Sequence, residues 1–178
     1  MKLPKENILC ILTLPKTSTE ENWPLVIPPV LTLIDDDTIR NKIRGCELLI
    51  IVLQTTSSSI LKQTGLGEVF HDALMPCLSY LPSLTQEEES LELLAVVYPT
   101  LICLMRTRFP RKIPDPERSR SLDKILRVAV FQGYTHAGEH VKITELLIGK
   151  IADLVNEMGT HSIKHLRVSR CIVYFYAY

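Results

Sequence analysis

The sequence has no net charge, no close pair of cysteines and no long unbroken apolar run. Its 178 residues contain 20 Lys and Arg and 20 Asp and Glu, so the formal net charge is zero. A domain without excess charge lacks the whole-surface attraction on which nucleic-acid or membrane binding relies. The longest apolar candidate, residues 91–105, is interrupted by Glu92 and Pro99 and is shorter than the ~20 residues of a membrane span.

The five cysteines are spread at wide intervals along the chain. Because no two of them are close in sequence, their pattern does not suggest the paired ligands of a zinc ribbon. An odd number of scattered thiols inside apolar segments predicts reduced, buried cysteines in an intracellular protein. These residues are Cys10, Cys46, Cys77, Cys103 and Cys171.

Apolar residues make up 46% of the chain, which is enough to bury a core. They recur at steps of three and four residues and rarely alternate, and this spacing predicts helices rather than strands. The clearest helix covers residues 140–158, where Ile143, Leu147, Ile151 and Leu154 form one stripe. The other predicted helices cover about residues 23–34, 38–53, 67–81, 85–105 and 122–131.

Local signals predict where some of these helices begin, bend and end. Thr85 and Glu88 have the spacing of a capping box at the start of one helix. Ser121 is expected to cap the helix that follows it, and Gly133 is expected to end that helix. Pro99 is expected to kink its helix because proline cannot donate a backbone hydrogen bond.

The predicted helices fall into three pairs with a period of about 40–50 residues. An all-helical chain with this period predicts an all-α fold, a HEAT- or armadillo-like α-solenoid fragment of about three helical pairs. A four-helix bundle is the competing all-α prediction. The pairs lie near residues 22–54, 66–107 and 121–158.

The domain organisation follows from these pairs. We expect an N-terminal segment at residues 1–21, a helical repeat domain at residues 22–166 and an atypical apolar tail at residues 167–178. Inside the repeat domain, residues 106–121 are rich in proline and basic residues, so they are expected to form an exposed loop.

The first pair carries the residue pattern of a HEAT repeat. Pro28 and Pro29 lie in the first helix, Asp35 lies at the turn, and Ile39 and Arg40 open the second helix. In such a pattern the proline bends the first helix and the aspartate caps the turn or the next helix. The arginine can reach carboxylates of neighbouring turns. We interpret these five residues as structural.

Two histidine pairs resemble metal ligands. His136, Glu139 and His140 match the H-x-x-E-H spacing of one zinc-peptidase class, and a zinc-dependent hydrolase is therefore an alternative function. A catalytic zinc needs two imidazoles on one helix face and a third ligand, whereas a glycine interrupts this segment. His161 and His165 form a second pair, which we interpret as a surface-exposed pair on a helix. The prediction is no metal and no cofactor.

The chain from residue 106 to residue 127 contains eight Lys and Arg against Asp115, Glu117 and Asp123. A basic cluster of this kind can bind an acidic partner, and a helical-repeat nucleic-acid binder is a further alternative. No aromatic residues are interleaved to stack on bases, so a solvated linker is the preferred interpretation.

Five stretches resemble the fungal branch of the second Tel-two-interacting protein family. Their motifs are specific to this family rather than general to HEAT repeats, and the resemblance covers about residues 23–166. The stretches are W-P-L-V-I-P-P-V-L-T-L-I-D-D (23–36), I-R-G-C-E-L-L (43–49), T-G-L-G-E-V-F (64–70), G-Y-T-H-A-G-E-H-V-K-I (133–143) and N-E-M-G-T-H-S-I-K-H-L (156–166).

The resemblance implies a subunit of the TTT co-chaperone complex. Members of the family are α-solenoids without catalytic activity or cofactors, found in the cytoplasm and nucleus. With the other TTT subunits and the ninety-kilodalton heat-shock chaperone, they support maturation of the phosphatidylinositol-3-kinase-related kinases. The family's chain is longer at both ends, so this chain is expected to be a fragment, with residues 167–178 departing from the family pattern.

The polar residues of the best-matching motifs are the candidate partner-binding residues. A structural role in turns and helix caps is the equal alternative for each of them. The candidates are His136, Glu139, His140, Lys142, His161, Lys164 and His165.

Overall fold

The structure, a computed structural model, describes residues 23–110 and 115–166. Every regular element in these two ranges is helical, and they contain no strand. The predicted all-α class is therefore confirmed.

Eight α-helices are joined by shorter 3₁₀ and π segments within the described ranges. The α-helices are α1 (Trp23–Asp35), α2 (Ile39–Thr55), α3 (Ser58–Thr64), α4 (Leu66–Leu74), α5 (Glu87–Arg108), α6 (Pro116–Lys124), α7 (Gln132–Ala137) and α8 (Val141–Met158). A first 3₁₀ segment covers Met75–Ser79, a π segment covers Ile125–Phe131 and a second 3₁₀ segment covers Gly159–His165.

The helices pack as two layers. In one layer α2 packs against α5, and α5 packs against α8. In the other layer α1 packs against α4, and the first 3₁₀ segment packs against the π segment. Stacked HEAT-type pairs require this separation of first and second helices. The solenoid itself stays a prediction. The two layers determine where the candidate surface residues lie.

Helices α5 and α8 run parallel to each other. At their N-terminal ends, His140 Nδ1 lies 2.9 Å from Glu87 Oε2. At their C-terminal ends, Arg106 Nη2 lies 2.6 Å from Glu157 Oε1. Contacts of N-terminus with N-terminus and C-terminus with C-terminus define a parallel pair.

Helix α5 is the centre of the core. Leu93, Leu94, Leu101 and Leu104 are fully buried between the neighbouring helices. By length and composition alone α5 could cross a membrane, but 56% of its apolar window is buried inside the protein. Such burial is typical of a core helix, whose apolar surface is covered by its neighbours.

The start of α5 differs from the predicted capping box. Gln86 is the N-cap residue, and its side chain makes no capping hydrogen bond. Thr85 instead closes the preceding turn, with its backbone N–H donating to the Leu81 carbonyl at 3.0 Å. The prediction of Thr85 as cap was wrong because the helix begins one residue later than the Thr85–Glu88 spacing requires.

The predicted exposed loop at residues 106–121 is largely helical. Helix α5 continues to Arg108, and α6 begins at Pro116; residues 111–114 lie outside the described ranges. Asp115 is the cap, accepting a hydrogen bond from the Glu117 N–H at 2.8 Å. An aspartate followed by proline is a stronger start signal than Ser121, which lies inside α6.

The predicted helix end at Gly133 was also wrong. Gly133 lies inside α7, and a Cβ on it would meet the Leu147 side chain at 3.5 Å. This glycine therefore lies at the contact between α7 and α8 rather than at a helix terminus.

The HEAT-type residues of the first pair lie close to their predicted places. Pro28 and Pro29 are inside α1, and Ile39 and Arg40 begin α2. The capping bond, however, is made by the neighbouring aspartate: Asp36 Oδ1 accepts from the Thr38 N–H at 2.8 Å. That backbone hydrogen bond, together with one from Asn41, lowers the pKa of Asp36. Asp35 is the last residue of α1, so its predicted capping role was wrong.

The predicted helix at residues 67–81 is shorter and ends in a 3₁₀ segment. Helix α4 ends at Leu74, and Pro76 lies in the first turn of the first 3₁₀ segment. Because proline has no N–H, the α-helical ladder cannot continue through Pro76. The short helix α3, which the sequence pattern did not predict, precedes α4 through Gly65 at φ +69°.

Three of the cysteines lie in the described ranges. Cys46 and Cys77 are buried, Cys103 is half-buried, and all three are free thiols. Burial raises the pKa of Cys46 to about 12, so this thiol is unreactive at neutral pH. Cys10 and Cys171 lie outside the described ranges.

Candidate partner-binding surface

The first group of candidate residues lies at the N-terminal end of α8. His136 is exposed in the last turn of α7, and Glu139 is exposed in the turn that follows. His140 is the half-buried N-cap of α8, where it contacts Glu87 of α5. Lys142 is exposed in the first turn of α8. His136, Glu139 and Lys142 are therefore accessible to a partner, whereas His140 joins two helices.

The second group lies in the second 3₁₀ segment, beyond the C-terminal end of α8. His161 is exposed, but His165 is only 7% exposed. Its Nε2 atom lies 2.5 Å from Asp123 Oδ1, and Lys164 Nζ lies 2.6 Å from the same oxygen. The prediction of a surface-exposed His161 and His165 pair was wrong for His165, because Asp123 holds that ring inside the protein.

The two groups of candidates are not brought together. Helix α8 separates them, and its 18 residues span about 27 Å at about 1.5 Å per residue. This distance keeps His136 and His140 away from His161 and His165, so the four histidines do not form one site. In the described residues no group of three His, Cys, Asp or Glu side chains is placed to hold a metal ion.

The H-x-x-E-H segment does not have the geometry of a zinc-peptidase helix. Its first histidine, His136, is on α7, and its last, His140, has extended backbone angles at the start of α8. Two imidazoles bind zinc from one helix only when they lie one turn apart on the same face. The helix break at Gly138 prevents that arrangement, which contradicts the zinc-hydrolase alternative.

Asp123 contacts the side chains of Lys164, His165 and Arg127, which come from two elements. Lys164 and His165 contact Oδ1, and Arg127 Nη2 contacts Oδ2 at 3.0 Å. The edge of the Phe131 ring packs against His165. The Asp123 carboxylate thus fastens the second 3₁₀ segment onto α6 and the π segment.

Hydrogen bonds and neighbouring positive charges outweigh the effect of burial on the pKa of Asp123. Burial on its own would raise the pKa of this carboxyl group, which is 11% exposed. Hydrogen bonds from Lys164 and His165, with the charges of Lys164 and Arg127, instead lower the pKa below its usual 3.8. The ionised form of Asp123 therefore stabilises the folded state.

We expect this stabilisation to depend on pH with a defined sign. Because the pKa is lower in the folded state, the contribution is present above the unfolded pKa and is lost as pH falls through the folded pKa. Asp123→Asn should therefore lose stability relative to wild type at about pH 6, and the difference should shrink toward about pH 3. Urea unfolding at several pH values measures it, with Lys124→Gln as the exposed control on α6. A difference that stays constant across this pH range would contradict the assignment.

A second buried carboxylate, Glu157, joins three helices. Its side chain is 1% exposed and accepts hydrogen bonds from Arg106 of α5 and Arg118 of α6. Arg118 also donates to the Glu157 backbone carbonyl at 2.9 Å. The sequence pattern did not predict this clamp. The signal in the sequence that could have revealed it was Glu157 itself, a charged residue between Leu154 and Met158 in the apolar stripe of α8.

The basic cluster near residues 106–127 is largely paired inside the protein. Besides Arg106 and Arg118, the Arg108 guanidinium bridges Glu68 at 2.9 Å and Glu117. Cations that are already paired with carboxylates have little charge left for phosphate groups. The described part of this cluster therefore fastens helices and gives no support to the nucleic-acid alternative.

These features define an all-helical protein in which buried ion pairs connect helices and the remaining polar candidates lie at the surface. The sequence profile of the Tti2 family matches residues 8–174, so the chain belongs to the Tti2 family. This match confirms the resemblance and supports, in general terms, the role of a TTT complex subunit. The matched range, residues 8–174, extends at both ends beyond the helical repeat domain predicted at residues 22–166. No solved structure matches the chain.

Proposed function

We propose that this protein is a non-catalytic scaffold subunit of the TTT co-chaperone complex. It supports the maturation and stability of phosphatidylinositol-3-kinase-related kinases through protein–protein contacts, together with the ninety-kilodalton heat-shock chaperone, in the cytoplasm and nucleus. The observation that carries the proposal is the Tti2 family match across residues 8–174.

The arrangement of polar residues is consistent with a scaffold. The buried charges Asp123 and Glu157 are satisfied by interhelical partners, as a rigid stack of helices requires. The exposed candidates that remain for partner contacts are His136, Glu139, Lys142 and His161.

Co-purification from the native cell tests this proposal. Tagged protein should recover the other TTT subunits in proportions close to one to one, measured by quantitative mass spectrometry. Depleting the protein should lower the steady-state level of the client kinases, and re-expression should restore it. Recovery of the folded protein without TTT subunits, or client levels that do not respond, would count against the proposal.

A further inference from the structure

Helix α6 buries little apolar surface. Five of its nine residues are charged, and Leu122 is the one apolar residue of this helix that is buried. Burial of a single leucine side chain offsets only part of the conformational entropy that nine ordered residues lose. Apolar contacts alone therefore do not hold α6 in place.

Charged side chains connect α6 to three other elements, which are α5, the C-terminal end of α8 and the second 3₁₀ segment. Arg118 donates to the Glu157 carboxylate at 2.8 Å and to the Glu157 backbone carbonyl at 2.9 Å. Because desolvation of partly buried charges offsets much of their attraction, separating both partners into water costs little. These contacts fix the position of α6 but add little resistance to its opening. The contacts are Glu117 with Arg108, Arg118 with Glu157, and Asp123 with Lys164 and His165.

The end of this weakly held helix coincides with a change of helix type. The backbone changes from α to π after Lys124. Apolar burial rises from that point onward, since the π segment buries Ile125, Leu126, Ala129 and Val130. A π segment interrupts the regular backbone hydrogen-bond ladder and is a common place for a helix to bend. The junction between residues 124 and 125 therefore separates an anchored apolar part of the chain from a charged part that can hinge away.

Helix α6 also holds the second 3₁₀ segment. Asp123 is the contact between them, since its Oδ1 atom lies 2.6 Å from Lys164 Nζ and 2.5 Å from His165 Nε2. The buried residues of that segment are Ser162 and His165, and neither is aliphatic. When α6 moves away it takes Asp123 with it, so the segment loses its main fastening.

We propose that α6 is a latch that opens as a unit about the junction of residues 124 and 125 while α2, α5 and α8 stay folded. In the closed state Asp123 occupies Lys164 and His165, which are two of the candidate partner-binding residues. In the open state both side chains become available to a hydrogen-bond acceptor on a partner. The latch thus regulates which polar residues the protein presents, and it operates whether or not the chain joins the TTT complex.

Hydrogen–deuterium exchange of the purified full-length protein, followed by mass spectrometry, measures the opening. Amides that exchange through local opening are less protected than amides that exchange only on global unfolding. Peptides from α6 should be protected about a hundredfold less than peptides from the buried parts of α5 and α8. Equal protection of α6 and α5 would show that α6 is lost only when the whole protein unfolds, and this overturns the proposal.

Arg118→Met tests whether the charged contacts set the opening. Methionine keeps an unbranched apolar side chain but removes the donors to Glu157, so the closed state alone is penalised. Exchange of α6 and of the second 3₁₀ segment should rise together by about tenfold, while α2 keeps its wild-type rate. Arg120→Met is the matched control, because Arg120 is exposed on the same helix and forms no ion pair within residues 23–110 and 115–166. Equal exchange in the two variants contradicts the latch.

Asp123→Asn breaks the other end of the latch and tests the coupling between the two segments. It keeps the shape of the side chain and removes the charge that Lys164 contacts. Exchange should rise in α6 and in the second 3₁₀ segment, and the π segment should change by less than about threefold because apolar burial anchors it. An increase confined to one of the two segments shows that they do not open together. An equal increase in the π segment shows that the hinge lies elsewhere, and either result overturns the proposal.

Discussion

Glu157→Ala is expected to lower the free energy of unfolding by about 3 kcal/mol, since removing one partner of a buried ion pair leaves the other uncompensated. The Glu157 side chain is 1% exposed, and that of Arg118 is 14% exposed, so water cannot replace the lost carboxylate. The Arg106 side chain is 58% exposed and regains hydration, so it adds little to the loss. Urea unfolding followed by circular dichroism measures the change.

Two further variants make the Glu157 prediction specific. Glu157→Gln keeps the shape and one hydrogen-bond acceptor but not the charge, so its loss should be smaller than that of alanine. Glu145→Ala removes an exposed carboxylate from the same helix and should change stability by less than about 0.5 kcal/mol. A Glu157→Ala protein as stable as Glu145→Ala would show that the clamp does not stabilise the three-helix contact.

Gly45→Leu is expected to destabilise the first helical pair by about 3 kcal/mol through overpacking. A Cβ at residue 45 would lie 2.8 Å from the backbone N of Ile34 and 3.1 Å from the carbonyl carbon of Leu33. These are backbone atoms of α1, so the whole helix must shift away from α2 to relieve the contact. The same close approach explains the glycine in the I-R-G-C-E-L-L stretch.

Gly149→Ala is the matched control for Gly45, because both glycines lie inside helices. At residue 149 the added Cβ meets nothing within 4 Å, so alanine should stabilise by up to about 1 kcal/mol. Thermal and urea unfolding of both variants measure the two effects. A Gly45→Leu protein as stable as wild type would contradict the close packing of α1 on α2.

The helices were largely predictable because apolar spacing is a local property of the chain. The stripe of Ile143, Leu147 and Ile151 predicted a helix at residues 140–158. Helix α8 begins one residue later, at Val141, and ends at Met158 as predicted. Caps were less predictable: the next residue takes the place of Thr85 and of Asp35, and Asp115, six positions earlier, takes the place of Ser121. Which residue becomes the cap depends on where packing places the helix start, and that is a tertiary effect.

The candidate surface was predictable only in part. The type and spacing of His161, Lys164 and His165 are visible in the sequence, but their exposure is not. His165 is buried because Asp123, 42 positions earlier, is brought within 2.5 Å of its ring. The clamp at Glu157 likewise joins residues 51 and 39 positions apart.

The sequence alone therefore determined the all-α class, the places of most helices and membership of the Tti2 family, because periodicity and family motifs are written along the chain. Tertiary structure decided which charges fasten helices and which remain free for a partner. It also brought Ala95 and Gly149, which are 54 positions apart, to the same surface depression between α5 and α8. Burial and pairing depend on contacts between distant residues, which local patterns do not contain.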